Sequence, residues 1–336
     1  MSLLADALQP LIVPELFTRR AGLSIRGIAD LLVAPRAAYI VDFDVATGRL
    51  GIDFGDSAPV VEALAATISR MACASFQTIN AAVMESLERE ALPWGLVKIY
   101  YAAFYAGHAI ISVLGEACSY FDSTHTKKLR ELAVAVGAAP TTSIAKGLYR
   151  ATAEDPPSRL QCASIGNSAG GTHEQFWDVF GKRMSQASQD VLSGPLPIAD
   201  AQAVFAKLDA MSVIIRRFGT FSWLSKIRND VQYRHEHDVW FPKGLTARRR
   251  ESLSRIAEHW NRDPMNIHLS PGPHTYDNVL RDFVTVSIFI IAVCHALLRK
   301  IADRSSVGSR SFVQQGPMVF LNLFGAPPAT SQEDYR

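Results

Sequence analysis

The sequence predicts a mainly α-helical protein with a small N-terminal β-hairpin unit and an inserted region of loops and short strands. Apolar residues recur at helical spacing after residue 58, which is typical of helices packed on a core. A short stretch around Gly48 alternates instead, as strands do. Pro156 and Pro157 interrupt the helical pattern further on. The 48% hydrophobic and 20% charged content is that of a globular protein rather than a disordered one.

The N-terminal hairpin is predicted over residues 39–54, where apolar residues alternate on both sides of Gly48. These residues are Tyr39, Val41, Phe43, Val45, Leu50, Ile52 and Phe54. The other face carries Asp42, Asp44 and Asp53. Three carboxylates can hold a divalent cation, but an acidic face turned to solvent is the favoured interpretation.

Three helices are predicted next. The first runs from residue 58 to about residue 90, after cap residues Asp56 and Ser57. The second, "WGLVKIYYAAFYAGHAIISVLG", is apolar nearly all round, so it is expected to be buried in a core or against a partner subunit. The third, "THTKKLRELAVAVG", is closed by Gly137.

Residues 139–200 are predicted to be an insertion of loops with two short strands, "KGLYRAT" and "RLQCASI". The glycine run at 166–172 lacks the Lys-Ser/Thr pair of a phosphate-binding loop. The segment "HEQFW" from His173 lacks the second histidine of a zinc-protease helix. Neither motif therefore predicts a site.

Helices are predicted again from Asp200 to about His235, from about 246 to 260 and from about 276 to 303. The segment "PMVFLNLF" is predicted to be a strand, and the tail "GAPPATSQEDYR" to be disordered. The predicted organisation is an N-terminal unit (1–57), a helical domain (58–305) with the insertion at 139–200, and a C-terminal tail (306–336).

Charge, cysteine usage and hydropathy indicate a cytoplasmic protein without a membrane partner. The net charge of +2 does not by itself indicate a nucleic-acid-binding protein. Four widely separated cysteines without a C-x-x-C pair argue against a thiolate zinc site and a disulfide framework. The N-terminus does not resemble a secretory signal. The most apolar stretch, 284–298, is short for a bilayer span.

The stretch "SKIRNDVQYRHEHDVWFP" (225–242) holds the candidate chemistry. On one helix Arg228 and His235 would share a face, about 10.5 Å apart along the axis. Arginine suits phosphate oxygens, and histidine can give or take a proton near neutral pH. RNA cleavage by its own 2′-hydroxyl needs both functions and no metal. Asn229 would orient the histidine or bind an oxygen.

Other interpretations of the same residues stay open. The stretch can be a solvated helix end, with Asp230 and Arg234 paired on another face. A metal site can be built from His235, Glu236, His237 and Asp238 if the helix has already ended. Tyr101, Tyr105 and His108 share one helical face. They would line a cleft, or pack in the core or against a partner.

Two segments together resemble the HEPN family, a group of helical domains found in higher eukaryotes and prokaryotes. "IRNDVQYRH" is similar to its Arg-polar…His motif, and "YYAAFYAGHAI" (100–110) resembles a second helix of the family. The resemblance covers residues 58–303, without the 139–200 insertion. It implies a HEPN-like helical bundle and a dimeric, metal-independent endoribonuclease that leaves 2′,3′-cyclic phosphate ends and needs no cofactor. Many such proteins are toxins or antiphage effectors.

The resemblance also implies roles for single residues. Arg228 would bind the scissile phosphate, Asn229 would be its polar neighbour, and His235 would be the acid or base. Six residues separate Arg228 from His235, at the long end of the family's spacing, so His237 is an alternative histidine. The expected supporting residues are Tyr233, Tyr101, Tyr105 and His108. The expected partners are RNA, a second copy of the chain and an antitoxin or regulatory protein.

Two other functions remain as alternatives. The first is a non-catalytic HEPN module that binds RNA, a nucleotide or a partner protein. The second is a metal-dependent hydrolase that uses the Asp or His clusters. An enzyme is expected to keep Arg228 open in a basic cleft, whereas a binding module can bury it under ion pairs.

Overall fold

Helices make up most of the structure, and a five-stranded antiparallel sheet lies beside them. The computed structural model describes residues 2–324 apart from 36, 45, 87–90, 140–142, 167–170, 242 and 271–277. The α-helices are α1 (Leu3–Leu8), α2 (Ile28–Val33), α3 (Ala58–Ala81), α4 (Leu92–Val113), α5 (Ser123–Ala135), α6 (Thr172–Leu192), α7 (Ile198–Ile215), α8 (Trp223–Gln232), α9 (Ala247–Ala257), α10 (Val279–Arg304) and α11 (Pro317–Phe324).

The sheet joins segments that are far apart in the sequence. Its strands are β1 (Ile40–Asp44), β2 (Arg49–Asp53), β3 (Glu116–Phe121), β4 (Gly147–Ala153) and β5 (Arg159–Ser164), in the order β1-β2-β5-β4-β3. The predicted hairpin and both predicted strands of the insertion are confirmed. β2 pairs directly with β5, with Leu50 opposite Cys162. The hairpin and the inserted strands therefore form one sheet, and β3 closes its far edge.

Two groups of apolar side chains hold these elements together. The larger core fills the space between the helices, and α4 and α10 lie at its centre. The smaller core lies between one face of the sheet and helices α2, α3 and α5. It contains Val41, Leu50 and Ile52 of the hairpin, which confirms the predicted inward face. Helix α3 contributes to both cores and connects them.

Several predicted elements differ from the structure. The insertion contains the helix α6, whose Phe176, Trp177 and Phe180 lie in the larger core. The predicted helix from 200 to 235 is interrupted between Ile215 and Trp223, where Gly219 is left-handed with φ 82°. The segment "PMVFLNLF" is the helix α11 and not a strand. Its buried residues Met318 and Leu321 are three apart, a spacing that a helix brings to one face.

Other predictions fall outside the described residues. These include most of the glycine run, at 167–170, and the predicted disordered tail from residue 325. Within the described part of the chain, the two helices α4 and α10 are long and apolar enough to cross a membrane by composition. The rest of the chain buries 78% of the apolar window in α4 and 89% of that in α10. Both have the character of core helices.

Candidate functional site

Arg228 lies at the contact between α8 and α4, enclosed by aromatic rings. Helix α8 turns Ile227, Arg228 and Val231 inward, and it packs on α4. The guanidinium carbon of Arg228 is 5.1 Å from the ring centre of Tyr100, 5.9 Å from that of Tyr101 and 5.7 Å from that of Tyr233. Only 7% of Arg228 is exposed. The cation is therefore stabilised by π faces and largely shielded from water.

The polar contacts of Arg228 leave its charge uncompensated. Nη1 donates to Gln232 Oε1 at 3.5 Å and to the Tyr233 hydroxyl at 3.4 Å, and both distances are long for hydrogen bonds. Nε is buried and has no hydrogen-bond partner within the described part of the chain. None of the ion pairs between described residues includes Arg228. A buried guanidinium without a carboxylate is costly, and its planar fork suits a phosphate.

His173, for which the sequence predicts no role, lies against the same tyrosines. It is the second residue of α6, and its Nδ1 is 3.0 Å from the Tyr100 hydroxyl. Its ring centre is 5.8 Å from those of both Tyr100 and Tyr101, and 4.4 Å from that of Phe104. Burial and the positive charge of Arg228 lower the pKa of His173 to about 4. His173 is therefore neutral at pH 7.

Tyr100 connects the histidine to the arginine. Its ring is fully buried, and Trp177 Nε1 donates to its oxygen at 3.1 Å. Trp177 follows His173 by one helical turn, so α6 presents both groups to the same hydroxyl. That spacing is the sequence signal for His173, but it acquires meaning only once α6 is known to be a helix against α4.

The predicted helical geometry of Arg228 and His235 is wrong. Helix α8 ends at Gln232, and His235 is left-handed with φ 54°. The chain has therefore turned away before His235, which is exposed and lies 4.9 Å from the Trp240 ring. Among the described residues, no contact joins Arg228 to His235. His173 instead contacts the same two tyrosine rings as Arg228.

The segment after α8 is strained. Besides His235, His237 (φ 66°) and Asp238 (φ 52°) are left-handed, a region that costs energy for any residue with a side chain. Trp240 Nε1 donates to the carbonyl of Val231 at 2.7 Å and ties the segment to the helix end. Such strain recurs at binding and catalytic sites.

This segment also gathers metal-ligating groups, though not the predicted set. One potential ligand atom from each of Asp230, Glu236 and His237 lies within 4.8 Å of the others. His235 and Asp238 of the predicted set are not among them. Arg234 Nη1 bonds Asp230 at 3.0 Å, which confirms that predicted pair and partly satisfies the carboxylate.

The remaining predicted residues lie at different depths. Tyr101 faces Arg228, and Tyr105 lies next to Tyr101, with 6.2 Å between ring centres. His108 is deep in the core, stacked on Phe176 at 3.8 Å between ring centres, and burial lowers its pKa to about 3. That position matches the core interpretation of His108 rather than the cleft interpretation.

Asn229 opens onto a neighbouring cavity of about 390 Å³. Its other lining residues are Glu174, Phe218, Lys226, Asp230 and Arg234. Arg228 precedes Asn229 on α8 but does not line this cavity. Tyr233, 65% exposed, covers the guanidinium on the solvent side.

Comparison with known proteins gives no relative. No family model matches the chain, and no curated protein or solved structure is similar to it. The HEPN resemblance therefore stays a prediction based on the two sequence motifs.

Proposed function

We propose that this protein is a metal-independent endoribonuclease whose scissile phosphate binds at Arg228. The observation that carries the proposal is the buried guanidinium without a carboxylate partner. An RNA phosphodiester would supply the missing negative charge and accept hydrogen bonds from the planar fork. In a site shielded from water, that attraction is much stronger than at a surface.

The proposed reaction is transesterification by the 2′-hydroxyl of the RNA itself. The 2′-oxygen attacks phosphorus, the bond to the 5′-oxygen breaks, and the products carry a 2′,3′-cyclic phosphate and a 5′-hydroxyl. Arg228 stabilises the charge that develops on the phosphoryl oxygens. Asn229, next to it in the sequence of α8, binds an oxygen or base edge in the cavity that it lines. A histidine moves the proton, the role predicted for His235 or His237.

Tyr233 controls access to Arg228 in this proposal. It is the C-cap of α8, is 65% exposed, and is held to Arg228 by a long 3.4 Å hydrogen bond. Its side chain can rotate into solvent at little cost, because few contacts are lost. An incoming phosphate then replaces the tyrosine hydroxyl on Nη1.

The proposed setting is cytoplasmic, in a toxin–antitoxin or antiphage system, with a second copy of the chain as partner. Exposed aromatic side chains lie around the strained segment: Trp94 and Phe241 are 52% and 96% exposed. Trp94 contacts Trp240, 5.9 Å away between ring centres. Sedimentation equilibrium tests the dimer, and Phe241→Asp is expected to weaken it by placing a charge in the contact.

A non-catalytic module that binds RNA, a nucleotide or a partner protein is the second candidate. The observation in its favour is the burial of Arg228 beneath tyrosine rings, since an open cleft is expected of an enzyme. The covering is aromatic rather than ionic, so it does not neutralise the charge. The binding module and the nuclease differ in whether RNA is cut.

The deciding experiment is incubation of single-stranded RNA and tRNA with the purified protein in EDTA. Wild type is expected to cut and to leave cyclic phosphate ends. Arg228→Lys keeps the charge but loses the fork, and is expected to cut about 100-fold more slowly. The matched control, Arg304→Lys, changes an exposed arginine and is expected to cut like wild type.

Three outcomes would contradict the proposal. Loss of cutting in EDTA with recovery on adding Mn²⁺ or Zn²⁺ would indicate a metal-dependent hydrolase at Asp230, Glu236 and His237. RNA binding without cutting would indicate the binding module. Equal cutting by wild type and Arg228→Lys would place the active site elsewhere.

A further inference from the structure

We infer that His173 is the base that takes the proton from the ribose 2′-hydroxyl at the Arg228 site, and that Tyr100 positions it. This inference rests on the proposed function and replaces His235 in it. The histidine then comes from α6 and the arginine from α8, with α4 between them. The Arg–His pair is assembled by tertiary packing rather than along one helix.

The placement of the two groups supports this assignment. His173 and Arg228 flank the same two rings: the histidine ring centre is 5.8 Å from those of Tyr100 and Tyr101, and the guanidinium carbon 5.1 and 5.9 Å from them. Arg228 also lowers the pKa of His173 through its charge. Because both groups contact the rings of Tyr100 and Tyr101, a phosphate bound by Arg228 would meet His173 at these rings. His235 packs on Trp240 instead.

The hydrogen bonds around Tyr100 leave one nitrogen of His173 available. Trp177 Nε1 can only donate, so it occupies one lone pair of the tyrosine oxygen. Ser225 and Arg228 also interact with the Tyr100 hydroxyl. His173 Nδ1 lies 3.0 Å from the same hydroxyl and donates to it in the tautomer protonated at Nδ1, which is the tautomer that a base at Nε2 requires. In that tautomer Nε2 carries a free lone pair, and it has no hydrogen-bond partner among the described residues.

The reaction balances without a co-reactant. His173 Nε2 accepts the proton of the 2′-hydroxyl as the 2′-oxygen forms its bond to phosphorus. The bond between phosphorus and the 5′-oxygen breaks with its electron pair on that oxygen, which takes a proton from water. His173 then returns its proton to the solvent. Arg228 neutralises the charge on the phosphoryl oxygens throughout.

The charges around His173 keep its imidazole neutral in the free protein, as a base requires. Arg228 on α8 is the cation that faces it, while Tyr100 on α4 and His108, deeper in α4, are neutral near pH 7. The free protein therefore holds His173 neutral, with a pKa of about 4. A bound phosphate offsets the charge of Arg228 and so raises the proton affinity of His173 when the substrate is present.

The first test is binding without cleavage, with a 2′-O-methyl RNA that has no nucleophile. NMR titration of the His173 imidazole is expected to show an upward pKa shift of about one unit or more when this RNA binds. Arg228→Met is expected to abolish that shift. An unchanged His173 titration in protein saturated with this RNA would overturn the inference.

The second test compares cleavage rates of His173→Gln, His173→Ala, His235→Ala and the exposed control His268→Ala. Glutamine keeps a partner for Tyr100 but cannot take the proton, so a loss of about 100-fold or more is expected. Added imidazole is expected to restore part of the activity of His173→Ala, an effect that a purely structural histidine would not show. His268→Ala is expected to match wild type.

The outcomes separate this inference from the proposed function. If Arg228→Lys fails to cut while His173→Gln cuts like wild type, the nuclease stands and His173 is not its base. Loss of cutting in His235→Ala alone would restore His235 to that role. If folded wild-type protein does not cut RNA, the proposed function and the role of His173 fall together.

Discussion

Arg228 carries a positive charge at a position that is 7% exposed, and tyrosine rings rather than carboxylates surround it. Replacement of such a charge by an apolar side chain of similar length removes its desolvation cost. We expect Arg228→Met to raise the free energy of unfolding by about 1 kcal/mol or more, while cleavage of RNA is lost. Urea unfolding and the cleavage assay on the same preparation measure both.

Arg217 provides the contrast for this prediction. Its side chain is 8% exposed and bonds Asp282 at 2.7 Å. Removal of the arginine leaves the buried Asp282 carboxylate without its ion-pair partner. Arg217→Met is therefore expected to lower the free energy of unfolding by about 3–5 kcal/mol. If both substitutions destabilise the protein equally, the charge of Arg228 is compensated in solution, and its burial does not indicate a site for an anion.

The core histidine His108 makes the fold sensitive to acid. Its pKa is about 3 in the folded protein and about 6.5 in the unfolded chain. Between these values the unfolded chain binds a proton that the folded protein does not, so stability falls as the pH falls below about 6.5. At about pH 5 the cost is about 2 kcal/mol.

Replacement of this histidine by phenylalanine is expected to remove that part of the pH dependence. We expect the free energy of unfolding of His108→Phe to fall by about 2 kcal/mol less than that of wild type between about pH 7.5 and about pH 5. Urea titrations at both pH values measure the difference. His268→Ala, an exposed substitution, should follow wild type. Parallel curves for His108→Phe and wild type would show that His108 titrates normally.

The sequence identified Arg228 but not its neighbours. Arginine next to asparagine in an amphipathic segment is visible without a structure. The identity of the adjacent histidine depends on where α8 ends, and Tyr233, Arg234 and His235 give no strong stop signal. The left-handed turn at His235 follows from tertiary contacts such as that of Trp240 with Val231. Local patterns do not contain such contacts.

At the scale of elements, α6 decides whether His173 reaches Tyr100. Gly181 allows the middle of α6 to approach the chain before α8, since a Cβ there would come within 2.2 Å of the Phe221 ring. Gly181→Ala is expected to cost about 1–3 kcal/mol by overpacking. It should also reduce RNA cleavage, because α6 must move and carries His173 with it. Chemical denaturation and cleavage rates measure both effects.

The control on the same helix is Gln189→Ala, an exposed position, where a change within about 0.5 kcal/mol is expected. Normal stability and activity of Gly181→Ala would mean that Phe221 rotates away and that the packing of α6 is not tight. If Gly181→Ala is less stable but fully active, RNA cleavage does not depend on the position of α6.

Helix α6 was missed for a physical reason. Its first turn follows a glycine run, and the proline pair at 156–157 precedes it, so loop signals dominate that part of the insertion. Its apolar residues Phe176, Phe180 and Met184 recur at four-residue spacing, a helical signal once the boundaries are ignored. The segment "PMVFLNLF" was misassigned because a short apolar run fits a strand and a buried helix equally well.

At the scale of the whole molecule, the pairing between strands that are far apart in the chain could not be predicted from the sequence. Both ends of the β2–β5 ladder were predicted as strands, but more than a hundred residues separate Leu50 from Cys162. The alternation of apolar residues in a strand predicts which of its faces is buried, but it does not predict which other strand pairs with it. The sequence does not predict β3, because this strand follows α4 almost directly, with Gly115 in the short connection. The mainly helical fold class can be predicted from the local spacing of apolar residues, whereas the order of the strands in the sheet cannot.

This topology ties the first 57 residues to the rest of the chain. Helix α1 buries Leu4 and Leu8 against α10, Lys300 forms an ion pair with Asp6, and β2 supplies the edge on which β5 pairs. A chain that begins at residue 58 would expose that edge and part of both cores. We expect it to lack a cooperative melting transition and to aggregate.

Addition of residues 1–57 as a separate peptide is the matching control for that truncation, because it restores the missing contacts without the covalent link. We expect the peptide to bring back a cooperative melt and near-ultraviolet circular dichroism. A truncated chain that melts cooperatively without the peptide would mean that each core is stable alone and that residues 1–57 are an independent unit. The predicted result instead means that the helical site needs the sheet, since β3 leads into α5 and β5 leads into α6.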